Sequence, residues 1–218
     1  RFLEHHPISN HTREAYSRAV AFVRDFHISR RNLDGEFVEA RGKWAGSTGR
    51  HPFPVVLDSG CGTGRSTAAL ARYYPHLPVL GVDRSAMRLA RGMSGYDKKL
   101  TPRGGRCVEA GKIDADPPAN ILLLRADLVS LWILASRDGA WEVVEHAILY
   151  PNPYPKRSQL RSRWHGHPVF PIILSLGGRI TLRSNWKAYL EEVCRAVLAI
   201  AHASEDVDRG DSPPSLIR

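Results

Sequence analysis

Cysteine is scarce in this 218-residue chain: Cys61, Cys107 and Cys194 are all there is, widely spaced and odd in number. That argues against a disulfide framework and against a C-x-x-C metal site, and it fits a reducing compartment, so a cytoplasmic location is expected. Long apolar runs are missing too: the longest stretches contain charges, and no signal-peptide pattern is present, so no membrane partner is expected. Acidic residues are the minority among the charges, 22 Asp and Glu against 31 Lys and Arg, a net charge of +9. A basic balance of this size favours a polyanionic partner, most simply nucleic acid. Hydrophobic residues are not lacking. At 43% they support a sizeable core and exclude general disorder.

Residues 1–30 read as an amphipathic helical lead, with Ala15, Ala19, Phe22, Val23 and Phe26 near helical spacing. Gly35, Gly42, Gly46, Gly49 and Pro52 make 31–53 a loop or linker. The expected division is a helical extension and linker over 1–50 and a main domain over 51–218. Strands are predicted at 55–59, 79–83, 120–125, 146–150 and 179–183, and helices at 65–73, 86–91, 127–136 and 186–202. Residues 92–118, rich in Gly and Pro, read as an exposed insertion. Regular strand–helix alternation implies an α/β fold with a doubly wound, mostly parallel, Rossmann-like sheet. Ligands in such sheets bind beyond the carboxyl ends of the strands. The chemistry-bearing segments lie there: Asp58–Gly64, Asp83–Ser85, Arg125–Leu128 and Tyr150–Lys156.

The sharpest of these follows the apolar run Val55-Val56-Leu57. It reads Asp58-Ser59-Gly60-Cys61-Gly62-Thr63-Gly64, and Leu80-Gly81-Val82-Asp83-Arg84-Ser85 comes about twenty residues later. Gly60, Gly62 and Gly64 let the backbone turn tightly and approach a ligand with no Cβ in the way. The helix that follows turns its N-terminal N–H groups toward the same cavity. In a dinucleotide site those groups hold a pyrophosphate. S-adenosylmethionine has no phosphate, only a sulfonium and an amino-acid tail, and an acid on the turn suits it better. Asp58 supplies that acid. Asp83, with Arg84 and Ser85 beside it, is placed to accept hydrogen bonds from ribose hydroxyls. A bare glycine pattern also occurs in turns without ligands; the two acids at strand ends favour a cofactor site.

Asp127, after the next apolar run, reads either as a contact to an adenine amine or as a helix N-cap. Tyr150-Pro151-Asn152-Pro153-Tyr154-Pro155-Lys156 is a proline-stiffened loop suited to holding a flat base. Tyr154 can stack, and Asn152 offers a donor and an acceptor. The following run carries Lys156, Arg157, Arg161, Arg163 and His165 around Trp164, a pattern for phosphate contact and stacking; a solvated helix face is the plainer reading. His165 and His167 lack a Cys or acid at ligand spacing, so no metal is expected. Gly177-Gly178 opens the last strand, and Ser184 and Asn185 lie at its polar end. Asn185 suits a base edge or a helix N-cap equally.

Together these residues resemble the bacterial tRNA (guanine-N7)-methyltransferase family, as a divergent branch, over most of 53–190. The likeness rests on the Asp58–Gly64 turn, the Gly81–Ser85 acid, the P-N-P-Y-P-K loop with its basic sequel, and the stretch from Gly177 through Asn185 to Tyr189. The resemblance implies a class I methyltransferase fold, S-adenosylmethionine as donor and a tRNA guanine as acceptor. By motif position Asp58, Asp83 and Asp127 fall at cofactor contacts, Asn152 and Lys156 at the acceptor site, and Asn185 at a base edge. The chain departs from the family at several positions. Asn152 and Asn185 stand where the family has Asp, Tyr154 where it has Trp, and Pro214-Ser215-Leu216-Ile217 is a poor match to its C-terminal T-K-F-E. The class usually closes its sheet with a further β-hairpin; with only a short polar stretch after the last helix, that hairpin is expected to be incomplete here. Two other readings stay open. Asn152-Pro153-Tyr154 is similar to the N-P-P-Y loop of amino-methyltransferases acting on adenine or cytosine. The two amides also suit an RNA-binding partner subunit that keeps a cofactor pocket without turnover.

Overall fold

The computed structural model describes residues 4–34, 52–93 and 118–208. The expected insertion, most of the linker, Cys107 and Pro214–Ile217 lie outside the described residues. The first element, α1 (Asn10–Asp34), is capped by Ser9, whose Oγ accepts from the Thr12 N–H at 3.2 Å. Ala15, Tyr16, Ala19 and Val23 form its buried stripe, and α1 lies on the sheet against the fourth helix.

Then β1 (Phe53–Ser59), α2 (Arg65–Tyr73), β2 (Val79–Asp83), α3 (Ala86–Met93), β3 (Ile121–Arg125), α4 (Leu128–Asp138) and β4 (Trp141–Leu149) alternate. Two short 3-10 turns, Arg157–Ser162 and Trp164–Gly166, precede α5 (Phe170–Ser175), β5 (Arg179–Arg183) and α6 (Lys187–Asp208). All five strands are parallel, in the order β3-β2-β1-β4-β5. The expected α/β doubly wound sheet is therefore present, with a core cluster on each face. Val55, Leu57, Leu80 and Leu124 pack with α1, α4 and α5 on one side, while Val56 and Val79 pack with Ala71 of α2 on the other. Strand order reverses between β1 and β4, which opens a crevice at their carboxyl ends.

Several boundaries differ from the sequence reading. β4 starts at Trp141, five residues before the expected position, because Trp141, Val143 and Glu145 alternate inward while Glu142 and Val144 face out. The acids disguised this alternation. Glu145 is buried, yet its carboxylate accepts from Arg179 Nε at 2.6 Å and Thr181 Oγ1 at 2.5 Å, both on neighbouring β5. The sequence reading has no helix at α5; Pro168 and Pro171 masked a single turn-and-a-half whose Phe170 and Ile173 enter the core. The helix predicted at 127–136 begins one residue later, because Asp127 is its cap: Oδ1 accepts from Ser130 N–H at 2.9 Å. No described helix is long and apolar enough to cross a membrane.

Candidate active site at the carboxyl edge of the sheet

Parallel pairing brings every segment singled out in the sequence to one edge. The glycine turn leaves β1, Asp83 ends β2, Asp127 follows β3, the Tyr150–Lys156 loop follows β4, and Ser184-Asn185 follow β5. Leu149 pairs with Arg183, and Tyr150 N–H donates to the Arg183 carbonyl at 2.8 Å, so the two amide-bearing segments leave adjacent strand ends.

The glycine turn is built against β2. Gly60 and Cys61 N–H both donate to the Val82 carbonyl, at 2.8 and 3.0 Å. Gly60, Gly62 and Gly64 have φ of 82°, 59° and 79°. A Cβ at Gly60 or Gly62 would meet nothing within 4 Å: these glycines face open space, the cradle a ligand needs. Asp83 Oδ2 accepts from Gly62 N–H at 3.0 Å and Oδ1 from Ser85 N–H at 2.7 Å. Asp83 thus holds the turn's shape, and each oxygen keeps a lone pair for a ligand hydroxyl. Arg84 is exposed, while Arg88 of α3 lies 3.6 Å from Asp83.

Asp58 is 1% exposed. Its Oδ2 accepts from Ser66 and Thr67 hydroxyls of α2 at 2.6 and 2.7 Å, while its Oδ1 has no partner. Burial holds its carboxyl above the usual range; the two hydroxyls pull the other way, and Asp83 adds to the rise. A buried acceptor without a donor fits a site completed by a ligand. Ser66 and Thr67 escaped the sequence reading, although the first turn of a helix after such a glycine loop is where supporting hydroxyls belong. Cys61 lies alongside; burial and the neighbouring acids push its thiol well up, so it is an inert packing group.

Behind the turn, Trp132 Nε1–H donates to Ser59 Oγ at 3.2 Å, and Ser59 Oγ is hydrogen-bonded to His146 Nε2 at 2.8 Å. His146 is fully buried, and burial pulls it down to about 4, so it is neutral. This network ties β1, α4 and β4 together directly beneath the site, and no local motif announced it.

The Tyr150–Lys156 loop is rigid by backbone as well as by proline. Tyr150 and Tyr154 have φ of 53° and 45°, a region that non-glycine residues seldom occupy. Tyr154 N–H donates to Asn152 Oδ1 at 3.2 Å, which leaves the exposed Asn152 Nδ2 as the group facing outward. Lys156, Arg157 and Arg161 are exposed.

Arg163 and His165 correct the sequence reading. Both were expected on an RNA-facing run. Arg163 is instead 6% exposed. Its Nε and Nη2 donate to the Tyr154 carbonyl at 3.2 and 3.1 Å, and Nη1 pairs with Glu192 of α6. His165 Nε2 lies 3.0 Å from the same Glu192 oxygen, its Nδ1 is buried without a partner, and burial lowers its basicity. A neutral ring donating from Nε2 satisfies all three observations. Ser184 also differs: its Oγ accepts from Trp186 N–H at 3.1 Å, a local turn bond just ahead of α6, while Asn185 stays exposed. Among the described residues, no group of three or more His, Cys, Asp or Glu is placed to hold a metal ion. A groove of about 540 Å³ between α1 and α4 is lined by Tyr16, Arg24, Arg137 and Asp138, among others, and by none of the residues above.

The family model described as "Putative methyltransferase" matches residues 52–216. The tRNA (guanine-N(7)-)-methyltransferase of Mycolicibacterium gilvum is 29% identical over 176 residues, which is 78% of this chain and 60% of that protein. The protein of that name from Neisseria meningitidis serogroup B is 24% identical over 192 residues, 84% of this chain and 68% of its own. A trans-aconitate 2-methyltransferase of Deinococcus radiodurans is 52% identical, but over only 40 residues, 18% of this chain. The matched part of the chain thus spans 60% of the length of the Mycolicibacterium relative. The family match takes in the whole sheet and the last helix, and the chain belongs to that methyltransferase family.

Proposed function

We propose that the chain transfers a methyl group from S-adenosylmethionine to N7 of a guanine in tRNA. The observation that carries the reading is the Asp58–Gly64 turn, open at Gly60 and Gly62 and holding the unpartnered Asp58 Oδ1, beside a rigid loop with exposed Asn152 and cations. The relatives' names supply the acceptor. In the division we propose, residues 1–50 form the extension that carries α1, and 51–218 the methyltransferase domain.

The residues fit the donor. Gly60, Gly62 and Gly64 would approach it through backbone, Asp58 would face its cationic amino-acid end, Asp83 with Arg84 and Ser85 its ribose, and Asp127 its adenine. When bound, S-adenosylmethionine supplies an electrophilic methyl whose carbon–sulfur bond breaks as the new carbon–nitrogen bond forms, the electron pair staying on sulfur. Guanine N7 carries a free lone pair, so no residue has to remove a proton, and positioning is the chain's main contribution. Asn152 would offer its Nδ2 donor to the base, Asn185 a second amide from the adjacent strand end, and Tyr154 a stacking face. Ser184 supports Asn185 by accepting from the Trp186 N–H beside it. Lys156, Arg157 and Arg161 would meet the phosphates of the partner tRNA.

The test is nucleoside mass spectrometry of unmodified tRNA after incubation with the protein and methyl-deuterated S-adenosylmethionine. Labelled 7-methylguanosine is the expected product. Labelled N6-methyladenosine or N4-methylcytosine would move the chain to the amino-methyltransferase reading. Donor binding without any label would leave it a cofactor-holding RNA-binding subunit.

A further inference from the structure

We infer that Arg163 and Glu192 are positioning residues, a tether from α6 that holds the Tyr150–Lys156 loop in its bound shape before any ligand arrives. The loop's part as acceptor site rests on the function proposed above; the tether itself rests on geometry alone. Two non-glycine residues in the left-handed region, Tyr150 and Tyr154, bracket the three residues Pro151, Asn152 and Pro153. Each such residue is strained and persists only where its surroundings over-determine it. Those surroundings are identifiable. The guanidinium fork of Arg163 closes on the Tyr154 carbonyl through both Nε and Nη2, while Asn152 Oδ1 takes the Tyr154 N–H. Both backbone polar groups of the strained Tyr154 are therefore bonded.

A buried guanidinium needs a counter-charge. Glu192 provides it, and the Glu192 oxygen that binds Arg163 also accepts from His165, which fixes the carboxylate's orientation. His165 in turn lies edge-on against Tyr189, one helical turn before Glu192 on α6, with ring centroids 5.1 Å apart. The chain of contacts runs from α6 through Glu192 and Arg163 to Tyr154, and ends at the exposed Asn152 amide. An Arg in the middle of a basic, surface-looking run is thereby withdrawn from solvent to shape the loop, and its neighbours Arg157 and Arg161 are left to face outward.

The test compares the full chain with Glu192→Gln and Arg163→Lys by hydrogen–deuterium exchange. Glu192→Gln keeps the shape and removes the charge; Arg163→Lys keeps the charge and removes the fork. Losing a charge-assisted bond of this kind is worth roughly a tenfold or larger change in a local opening equilibrium. Exchange of the amides in 150–163 is therefore expected to rise about tenfold in both variants, with the β1 and β2 amides and the affinity for S-adenosylmethionine unchanged. If methyl transfer is observed, kcat falls while KM for the donor holds. Unchanged exchange in 150–163, or a rise spread evenly over the sheet, would overturn the inference. Absence of turnover in the unaltered chain would count against the proposed function and leave the exchange result to judge the tether.

Discussion

Asp58 and Gly62 separate what holds the protein together from what readies it for a ligand. Asp58 is desolvated, with one oxygen unpartnered, so its charge costs the folded state something that a cationic ligand returns. Asp58→Asn is expected to leave the melting temperature unchanged or higher while donor affinity drops about tenfold or more, read by calorimetry on the same samples. Gly62→Ala should show a similar split for a steric reason. Its Cβ meets nothing in the protein, so the stability cost is only the left-handed backbone, roughly 1 kcal/mol, but the methyl projects into the open cradle and donor binding should fail. His146 gives a pH signature. Its basicity falls from the ordinary 6.5 to about 4 on folding, so the unfolded chain binds more protons between those values. Stability is then full above about pH 6.5 and declines as pH drops toward 4, by on the order of 3 kcal/mol, with no further loss from this group below that. Urea unfolding across this range should show the decline in the parent and a flatter profile in His146→Phe. Of these residues, Asp58 and Gly62 were legible in the sequence because the motif is local. His146 was not, since nothing in its neighbourhood says that it will meet Ser59 and Trp132.

At the level of elements, glycines define the joints. Gly178 enters β5 with φ of 72°, and a Cβ there would lie 2.1 Å from the Val143 carbonyl of β4. Gly139, which ends α4 with φ of 62°, has open space instead. Gly178→Ala should therefore cost on the order of 3 kcal/mol and Gly139→Ala about 1 kcal/mol, measured by urea unfolding. Equal costs would mean that backbone conformation alone, not the approach of β4 to β5, sets the requirement at Gly178. β1, α2, β2 and β5 were read from the sequence to within a residue or two, because an apolar run bounded by glycine or an acid is a local signal. The front half of β4 was hidden by Glu142 and Glu145, and Glu145 is inward only because Arg179 and Thr181 on β5 satisfy it. α5 is shorter than the period that reveals a helix, and its apolar residues gain their place from α4 and the core rather than from propensity.

Across the whole molecule, a net charge of +9 and an edge carrying Lys156, Arg157 and Arg161 predict a difference between the two proposed ligands. Affinity for tRNA should fall steeply with salt, while donor affinity should stay nearly flat. Arg161→Ala is expected to lower the slope of log K against log salt by about 1, and Arg163→Ala to weaken binding with the slope unchanged, because the buried guanidinium releases no phosphate counterion. Filter binding at several salt concentrations checks both. A slope change in Arg163→Ala would return that residue to the phosphate-binding run in which its sequence neighbours sit.

The sequence by itself determined the α/β class, the alternation of strands and helices, the glycine turn with its two acids, and the loop at the end of β4. Each depends on residues near one another in the chain, through periodicity, turn chemistry or φ preference. Tertiary structure alone decided which of the basic residues face outward, which acid is satisfied when buried, and which hydroxyls hold Asp58. Those outcomes depend on partners dozens of residues away: Glu192 for Arg163, Arg179 for Glu145, His146 for Ser59. A charged side chain's role is set by the dielectric and the partner it finds on folding, and neither is written in its neighbours.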